Sequence, residues 1–186
     1  MTVDLKHLTY DVYLAMPEMM ARYSIIDGEL VMAAAPTTNH QTILQEIALK
    51  LTPFVREHQL GIVFLAPVDI VIRREPLRTR QPAVLFISQE RRSIITPQVI
   101  EGGPDLVIEI LSPSNTRREL QGKLEDYQRI GVREAWIISP QAQTLEVLQL
   151  SAEAIQRSGL YGFGDAIVSQ VLPELHLTVN ELFPEF

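Results

Sequence analysis

The chain has 186 residues, a net charge of −7 and no cysteine, which excludes disulfide bonds and thiolate metal sites. This length suits a single domain whose core needs no cross-links. The acidic balance argues against a protein that coats nucleic acid non-specifically, because such proteins are usually basic. The sequence has neither a signal-peptide pattern nor an apolar run near the roughly 20 residues that span a bilayer. We therefore expect a cytoplasmic protein without a membrane segment.

The first third of the sequence predicts two helices and a hairpin. A short helix is expected over residues 9–20, where apolar residues interrupt polar positions. The Asp-Gly pair at positions 27–28, between two extended runs, predicts a β-hairpin over residues 23–32. Apolar residues at helical spacing predict a second helix from about residue 40 to residue 58, and Pro53 is expected to kink its last turn.

The remaining sequence alternates strands with one further helix. Strands are expected over residues 62–72, 83–87, 105–111, 134–138 and 144–150, and a helix over residues 116–130 ends at Gly131. The tail predicts short strands and turns, with a half-turn at residues 179–182. This order predicts one α/β domain with a mixed central sheet flanked by helices. Its core is expected over about residues 40–150, with residues 1–39 and 151–186 as additions.

Glu109 interrupts the most apolar predicted strand of the chain, Leu-Val-Ile-Glu-Ile-Leu at positions 106–111. An unpaired charge buried at such a position costs several kcal/mol, so this carboxyl group must be protonated, paired or metal-bound. Carboxylates in such places are often functional. Asp105 lies on the same face of the strand but roughly 13 Å away, at ~3.3 Å per residue, so the two cannot share one ion. A structural ion pair is the alternative explanation.

The helix after this strand offers a partner for Glu109. Glu119, Lys123 and Tyr127 are spaced four residues apart, so they stack along one helix face. An ordinary Glu–Lys helix pair would explain the same spacing and would contribute only a few tenths of a kcal/mol. The position of this stripe, directly after a buried strand that carries a charge, favours a functional site.

Six arginines and two glutamates lie between residues 73 and 92, which makes this segment the basic part of an acidic chain. Arg73, Arg74, Arg78 and Arg80 are therefore candidate contacts to nucleic-acid phosphates. A solvated hairpin with protective edge charges is the equal alternative. His40 is a further candidate, either as a helix cap or as a side chain that faces the cleft.

Several motifs together resemble one family. They are IDGEL at 26–30, HQ at 40–41, APVD at 66–69, RQP at 80–82, GPDLVIEILSPS at 103–114, the Glu119–Lys123–Tyr127 stripe, EAWIISP at 134–140 and LTVNELF at 177–183. This pattern, which covers nearly the whole chain, is similar to the Uma2 or DUF820 family. That family resembles PD-(D/E)xK nucleases, and the resemblance implies a restriction-endonuclease-like fold with an α-β-β-β-α-β core.

The resemblance also implies a site that contains Mg²⁺ or Mn²⁺. Glu109 matches the strand glutamate of the family, and Lys123 takes the place of the lysine that normally follows two residues later. Glu119 matches the acid that accompanies this lysine, and Tyr127 is a further cleft candidate. The site then resembles one that hydrolyses phosphodiesters with a metal ion.

One position departs from the family where the chemistry would need it. The second strand usually carries Gln-Pro-Asp, but this chain has alanine at position 83, and alanine cannot bind a metal ion. Asp69 could replace the missing acid, so we expect Glu109 and Asp69 as metal ligands. Glu46 and Glu29 are further candidates, and the last alternative is an impaired site.

Three functions therefore remain open at this point. The first is a Mg²⁺-dependent DNA endonuclease, whether fully active or impaired by Ala83. The second is a non-catalytic protein of the same fold that binds nucleic acid or a protein partner, which Ala83 favours because Mg²⁺ usually needs two anionic ligands. The third is a structural protein in which Glu109 and Lys123 form an ion pair. A homodimer is expected because nuclease-like domains of this size often pair.

Overall fold

A computed structural model describes residues 7–17 and 22–183 of the chain. The helices within these residues are α1 (Tyr10–Leu14), α2 (Thr38–Glu57) and α3 (Arg117–Arg129), with short 3-10 helices at Gln89–Ile94 and Val179–Leu182. The strands are β1 (Tyr23–Ile26), β2 (Glu29–Met32), β3 (Gly61–Leu65), β4 (Ile70–Arg74), β5 (Leu77–Arg80), β6 (Val84–Ser88), β7 (Leu106–Ile110), β8 (Glu134–Ser139), β9 (Thr144–Leu150) and β10 (Ile155–Tyr161).

Six strands form the central sheet in the order β10-β9-β8-β7-β6-β3. The β7–β8 pair is parallel and the other pairs are antiparallel, so the sheet is mixed. The succession α2, β3, β6, β7, α3 and β8 confirms the predicted α-β-β-β-α-β core. Two separate hairpins, β1–β2 and β4–β5, lie outside the central sheet.

The sheet is buried on both faces, which explains why β7 is almost continuously apolar. On one face Leu106 and Ile108 pack with α2 through residues such as Ile47. On the other face Val107 packs with α3 through Leu124. Alternation along β7 therefore places Glu109 on the face that α3 covers, as the sequence predicted.

Turn and cap chemistry explains where most elements begin and end. Asp27 and Gly28 have φ values of 53° and 86°, so the predicted Asp-Gly hairpin is confirmed. Thr116 and Glu119 form a reciprocal capping box that starts α3. Gly131 follows the end of α3 with a φ of 79°, which confirms the predicted terminating glycine.

Two predicted elements are wrong. The single strand expected over residues 62–72 is divided at Ala66-Pro67 into β3, which pairs with β6, and β4, which pairs with β5. Pro67 has no N–H group for the ladder, so the chain leaves the central sheet there. The first helix ends at Leu14 instead of continuing toward Met20, because Pro17 disfavours a helical residue before it. Residues 18–20 of that prediction lie outside the described residues.

The C-terminal tail contributes to the same core. The strand β10 pairs with β9 at one edge of the sheet, and the tail packs Leu172, Leu177 and Leu182 against the α2 side of the sheet. Across the described ranges, no helix is both long enough and apolar enough to cross a membrane.

Candidate functional site

Glu109 lies near the end of β7 with only 3% of its surface exposed. Lys123 Nζ donates a hydrogen bond to its Oε2 atom over 2.8 Å, and the Tyr127 hydroxyl donates to its Oε1 atom over 2.5 Å. The structure therefore brings together the strand carboxylate and two members of the predicted helix stripe. Both oxygens of the buried carboxylate have a partner, which offsets the cost of its burial.

Tyr127 is fully buried under this arrangement. Burial raises the pKa of its hydroxyl well above the usual range, and the neighbouring negative charge of Glu109 adds to that shift. The phenol therefore stays protonated at neutral pH and acts as a hydrogen-bond donor to the carboxylate. Tyr127 positions Glu109 and has no exposed surface for a substrate.

Ala83 directly precedes β6, the strand that pairs with β7. Val84, the first residue of β6, pairs with Ile108, which is the neighbour of Glu109 on β7. Ala83 is completely buried. Its methyl group packs with the core on the α2 side of the sheet and offers no ligand to a metal ion.

His40 lies in the first turn of α2 with 5% of its surface exposed. Its Nε2 atom is 3.4 Å from Nη1 of Arg22, and its Nδ1 atom has no hydrogen-bond partner among the described residues. Burial lowers the pKa of the imidazole, the positive charge of Arg22 adds to that effect, and the charge of Glu109 opposes it. His40 is therefore a neutral imidazole within the electrostatic field of Glu109 and Lys123.

The other predicted acids have different surroundings. Glu119 is exposed, and its Oε2 atom accepts hydrogen bonds from the backbone N–H of Thr116 over 2.7 Å and from its hydroxyl over 3.1 Å. These bonds lower the pKa of Glu119, so it stays ionised as a helix cap. Glu46 is half-buried on α2, and Glu29 is at the start of β2. Within the described chain, no hydrogen bond or ion pair connects any of the three to Glu109.

Asp69 precedes β4 and lies outside the central sheet. Its Oδ2 atom accepts hydrogen bonds from the hydroxyls of Tyr13, over 2.7 Å, and Tyr23, over 2.9 Å. Burial and the charge of Asp69 raise the pKa of both phenols, so both remain donors. Asp69 and Glu109 thus have separate sets of partners, and their joint role as metal ligands stays a prediction.

The candidate nucleic-acid-binding arginines are paired with acids of the same chain. Asp126 receives ion pairs from Arg80, over 2.7 Å, and Arg78, over 3.1 Å. Arg73 and Arg78 both contact Asp27, and Arg74 contacts Glu101 over 2.6 Å. The side chains of Arg78 and Arg80 are only 18% and 11% exposed, whereas that of Arg74 is 61% exposed. The largely buried Arg78 and Arg80 therefore hold the β4–β5 hairpin against α3 through Asp126.

A family profile described as "Putative restriction endonuclease" and named Uma2 matches residues 10–180. The chain belongs to the Uma2 family. A similar solved structure is a "putative nuclease belonging to DUF820" from Anabaena variabilis, with a TM-score of 0.76 and 22% identity over 95% of this chain and 97% of that one. This likeness shows the shared fold. Among curated proteins, none matches the chain.

Restriction-endonuclease-like proteins usually use divalent metal ions. The side chains of this Uma2 chain that could bind a metal can therefore be compared with the ligands that such an ion requires. Mg²⁺ in proteins is usually held by one or two carboxylates together with substrate phosphates and water. Both Glu109 oxygens already have protein partners, and Ala83 offers no donor. Within residues 7–17 and 22–183, no three acids and histidines group closely enough to hold a metal ion. These residues do not fit the two-acid Mg²⁺ site of the family.

Asp126 and the two tyrosines around Asp69 are residues that sequence reasoning missed. Asp126 directly precedes Tyr127 on α3. Arg78 and Arg80 are two residues apart on β5, so their side chains lie on the same face of that strand. This spacing is a weak signal that the two arginines share an acidic partner. Tyr13 and Tyr23 lie 56 and 46 residues from Asp69 in the sequence, and no local pattern connects them.

Proposed function

We propose that this Uma2 chain acts on DNA through an endonuclease-type site whose Mg²⁺-dependent cleavage is impaired by the absence of a second acid. The observation that carries this proposal is the alanine at position 83, one residue before the β6–β7 pair that lies next to Glu109, the buried carboxylate that Lys123 contacts. Family membership supports a nuclease-type site, and the Glu109–Lys123 pair supports its location. The missing donor at position 83 supports the impairment.

The residues present can still perform part of the chemistry. Lys123 donates one hydrogen to Glu109, and an ammonium group carries three, so two remain for phosphate oxygens. Its side chain is 24% exposed, so a phosphate can reach it from solvent. The neutral His40 is placed near this pair by the first turn of α2. We propose that Lys123 binds a DNA phosphate and that Glu109 and Tyr127 hold the lysine in place.

Restoring the acid tests the proposal. We expect the natural protein to show no saturable Mg²⁺ or Mn²⁺ heat in calorimetry and little plasmid nicking. Ala83→Asp should gain both, because it restores the acid that the family usually carries directly before β6. Ala83→Asn is the matched control, since it has the same shape without the charge. Combining Ala83→Asp with Glu109→Gln should abolish the gain.

The proposal is wrong if the natural protein binds Mg²⁺ and nicks DNA in a manner that Glu109→Gln removes. Another acid then completes the site, as predicted for Asp69. In that case Asp69→Asn should remove the metal-dependent heat and the nicking. The variants Glu46→Gln and Glu29→Gln distinguish the two remaining candidates in the same assays.

A second candidate function is binding of DNA without cleavage, which the full set of protein partners around Glu109 favours. Among the predicted arginines, Arg73 and Arg74 are 36% and 61% exposed, so we propose that these two contact phosphates. Arg74→Ala should weaken binding and reduce the slope of log affinity against log salt by about 1. Arg157→Ala is the matched control. Arg157 lies on β10, at the far edge of the sheet, where it is 60% exposed and paired with Glu146. An unchanged salt slope for Arg74→Ala would remove Arg74 from the interface.

We also propose that the protein is a homodimer. Among residues 7–17 and 22–183, β10 pairs only with β9, and the nearby Leu160 and Phe163 are 55% and 79% exposed. An unpaired edge with apolar side chains favours association with another copy. Light scattering should give twice the chain mass of 21.0 kDa, and the mass of a single chain would contradict the proposal.

A further inference from the structure

Asp69 differs from the other buried acids in how its charge is balanced. The buried acids among the described residues are Asp69, Asp105, Glu109, Asp126 and Glu134. Glu109 contacts a lysine, whereas Asp105 and Asp126 each contact arginines. Glu134 contacts no cation, but each of its oxygens accepts two hydrogen bonds. Each of these four acids therefore has either a cation or a full set of donors.

Asp69 has neither. Its Oδ2 atom accepts the two tyrosine hydroxyls, but its Oδ1 atom is buried without a hydrogen-bond partner among the described residues. No lysine, arginine or histidine in the described part of the chain lies within ion-pair distance of it. A carboxylate that is 93% buried under these conditions is costly unless a cation is supplied.

A cavity of about 380 Å³ lies beside this carboxylate. It is enclosed by α1 and the residues after it, by residues 67–69 and by residues 97–99. Its apolar walls include Leu14, Met16, Val68 and Val99, and the polar groups are Asp69, Gln81, Gln98 and the two tyrosines. A cavity that combines apolar walls with a few polar groups is typical of small-molecule sites.

We propose that this cavity binds a small organic cation, an ammonium or amidinium group on an apolar body, with its charged group directed at Asp69. The positive charge balances the carboxylate, which lines the cavity, and the N–H groups of the ligand donate hydrogen bonds to it. The apolar body packs against the aliphatic walls. None of Glu109, Lys123 and Tyr127 lines the cavity, so the site is separate from the proposed nuclease site.

The chemistry of the walls favours an organic cation over a hydrated metal ion. A hydrated Mg²⁺ or Ca²⁺ ion surrounds itself with oxygen ligands, many of them water, and this cavity offers it only one carboxylate among two phenols and side-chain amides. Aliphatic side chains and prolines form much of the remaining wall. A ligand that carries its own apolar surface uses both parts of the cavity.

Benzylammonium is a suitable probe because it combines an ammonium group with a compact apolar ring. Titrated into the full chain and followed by calorimetry and by the NMR signals of the tyrosine rings, it should bind with a Kd on the order of 1 mM. Benzyl alcohol, which has the same body without the charge, should bind at least tenfold more weakly. Asp69→Asn should weaken benzylammonium binding at least tenfold. The same exchange in α1 outside the cavity, Asp11→Asn, should leave it unchanged.

Three results would overturn the proposal. They are no saturation by about 20 mM benzylammonium, equal binding of benzyl alcohol, and unchanged binding by Asp69→Asn. If Asp69→Asn does not fold, Gln98→Trp tests the proposal instead, because Gln98 is exposed and lines the cavity. The indole should block the cavity and abolish binding while Asp69 remains, and unchanged binding to this variant would also overturn the proposal.

Discussion

At the residue scale, the site consists of one buried carboxylate and the two groups that contact it. Glu109 is buried on a strand because Lys123 supplies a positive charge and Tyr127 supplies a hydroxyl donor. The two partners differ in solvent exposure, since the lysine side chain is 24% exposed and the tyrosine is fully buried. Removing the lysine leaves Glu109 with no ion-pair partner among the described residues, and this defines a stability test.

We predict that Lys123→Met costs about 3 kcal/mol of unfolding free energy, because Glu109 remains buried without its cation. Adding Glu109→Gln to Lys123→Met should recover about 2 kcal/mol, since the neutral amide still accepts the hydrogen bond of Tyr127. Urea denaturation at pH 7 measures both differences. If the double variant is less stable than Lys123→Met alone, the proposed burial cost of Glu109 is wrong.

At the element scale, an ion pair connects the 3-10 helix at residues 179–182 to α2, beside the apolar contacts between them. Lys50 Nζ lies 2.6 Å from Oε1 of Glu181, and Oε2 accepts the backbone N–H of Thr178 over 2.8 Å. The hydrogen bonds from Lys50 and Thr178 lower the pKa of Glu181 to about 2. This carboxylate therefore caps its own helix and connects the tail to α2.

We predict that this connection depends on pH in a defined direction. The folded pKa of Glu181 is about 2 and its ordinary value is 4.5, so its stabilisation is complete above about pH 4.5 and is lost as the pH falls toward 2. Glu181→Gln should be less stable than the natural protein at pH 7, and the difference should shrink below pH 4.5. Thermal unfolding across this pH range measures it.

Glu174→Gln is the matched control, because Glu174 is an exposed acid of the same tail that contacts no cation among the described residues. Its stability should follow that of the natural protein across the range. A difference between Glu181→Gln and the natural protein that does not change with pH would contradict the assigned role.

At the scale of the whole molecule, Glu134 connects the sheet to the tail. Its Oε1 atom accepts hydrogen bonds from Trp136 and Ser169, and its Oε2 atom accepts from Gln149 and the backbone of Gln170. The carboxylate is completely buried, so one side chain serves donors from β8, β9 and the tail. This arrangement joins the tail to the sheet.

We predict that Glu134→Ala costs more than about 3 kcal/mol, because it leaves several buried donors without an acceptor. Glu146→Ala on the neighbouring strand is the control, since Glu146 forms an ion pair with the exposed Arg157 and should cost less than about 1 kcal/mol. Denaturant unfolding and limited proteolysis of the tail measure the effect. Equal costs for the two variants would contradict the central role of Glu134.

Much of the fold could be predicted because local chemistry specifies it. The Asp-Gly turn, the Thr116 cap and Gly131 each act within a few residues, so their consequences can be recognised along the sequence. The meeting of Glu109 with Lys123 was also predictable, because strand alternation and helix periodicity each fix a face. The division of residues 62–72 at Ala66-Pro67 was missed because an apolar run does not show which sheet it joins.

The sequence by itself determined the α/β class, the Uma2 family and the face of β7 on which Glu109 lies, since these follow from periodicity and from motifs. Only the tertiary structure decided the contacts between residues far apart in the chain. It placed Asp69 between Tyr13 and Tyr23 and paired Arg78 and Arg80 with Asp126. The physical reason is that a side chain's direction follows from local geometry, whereas its partner depends on how whole elements pack.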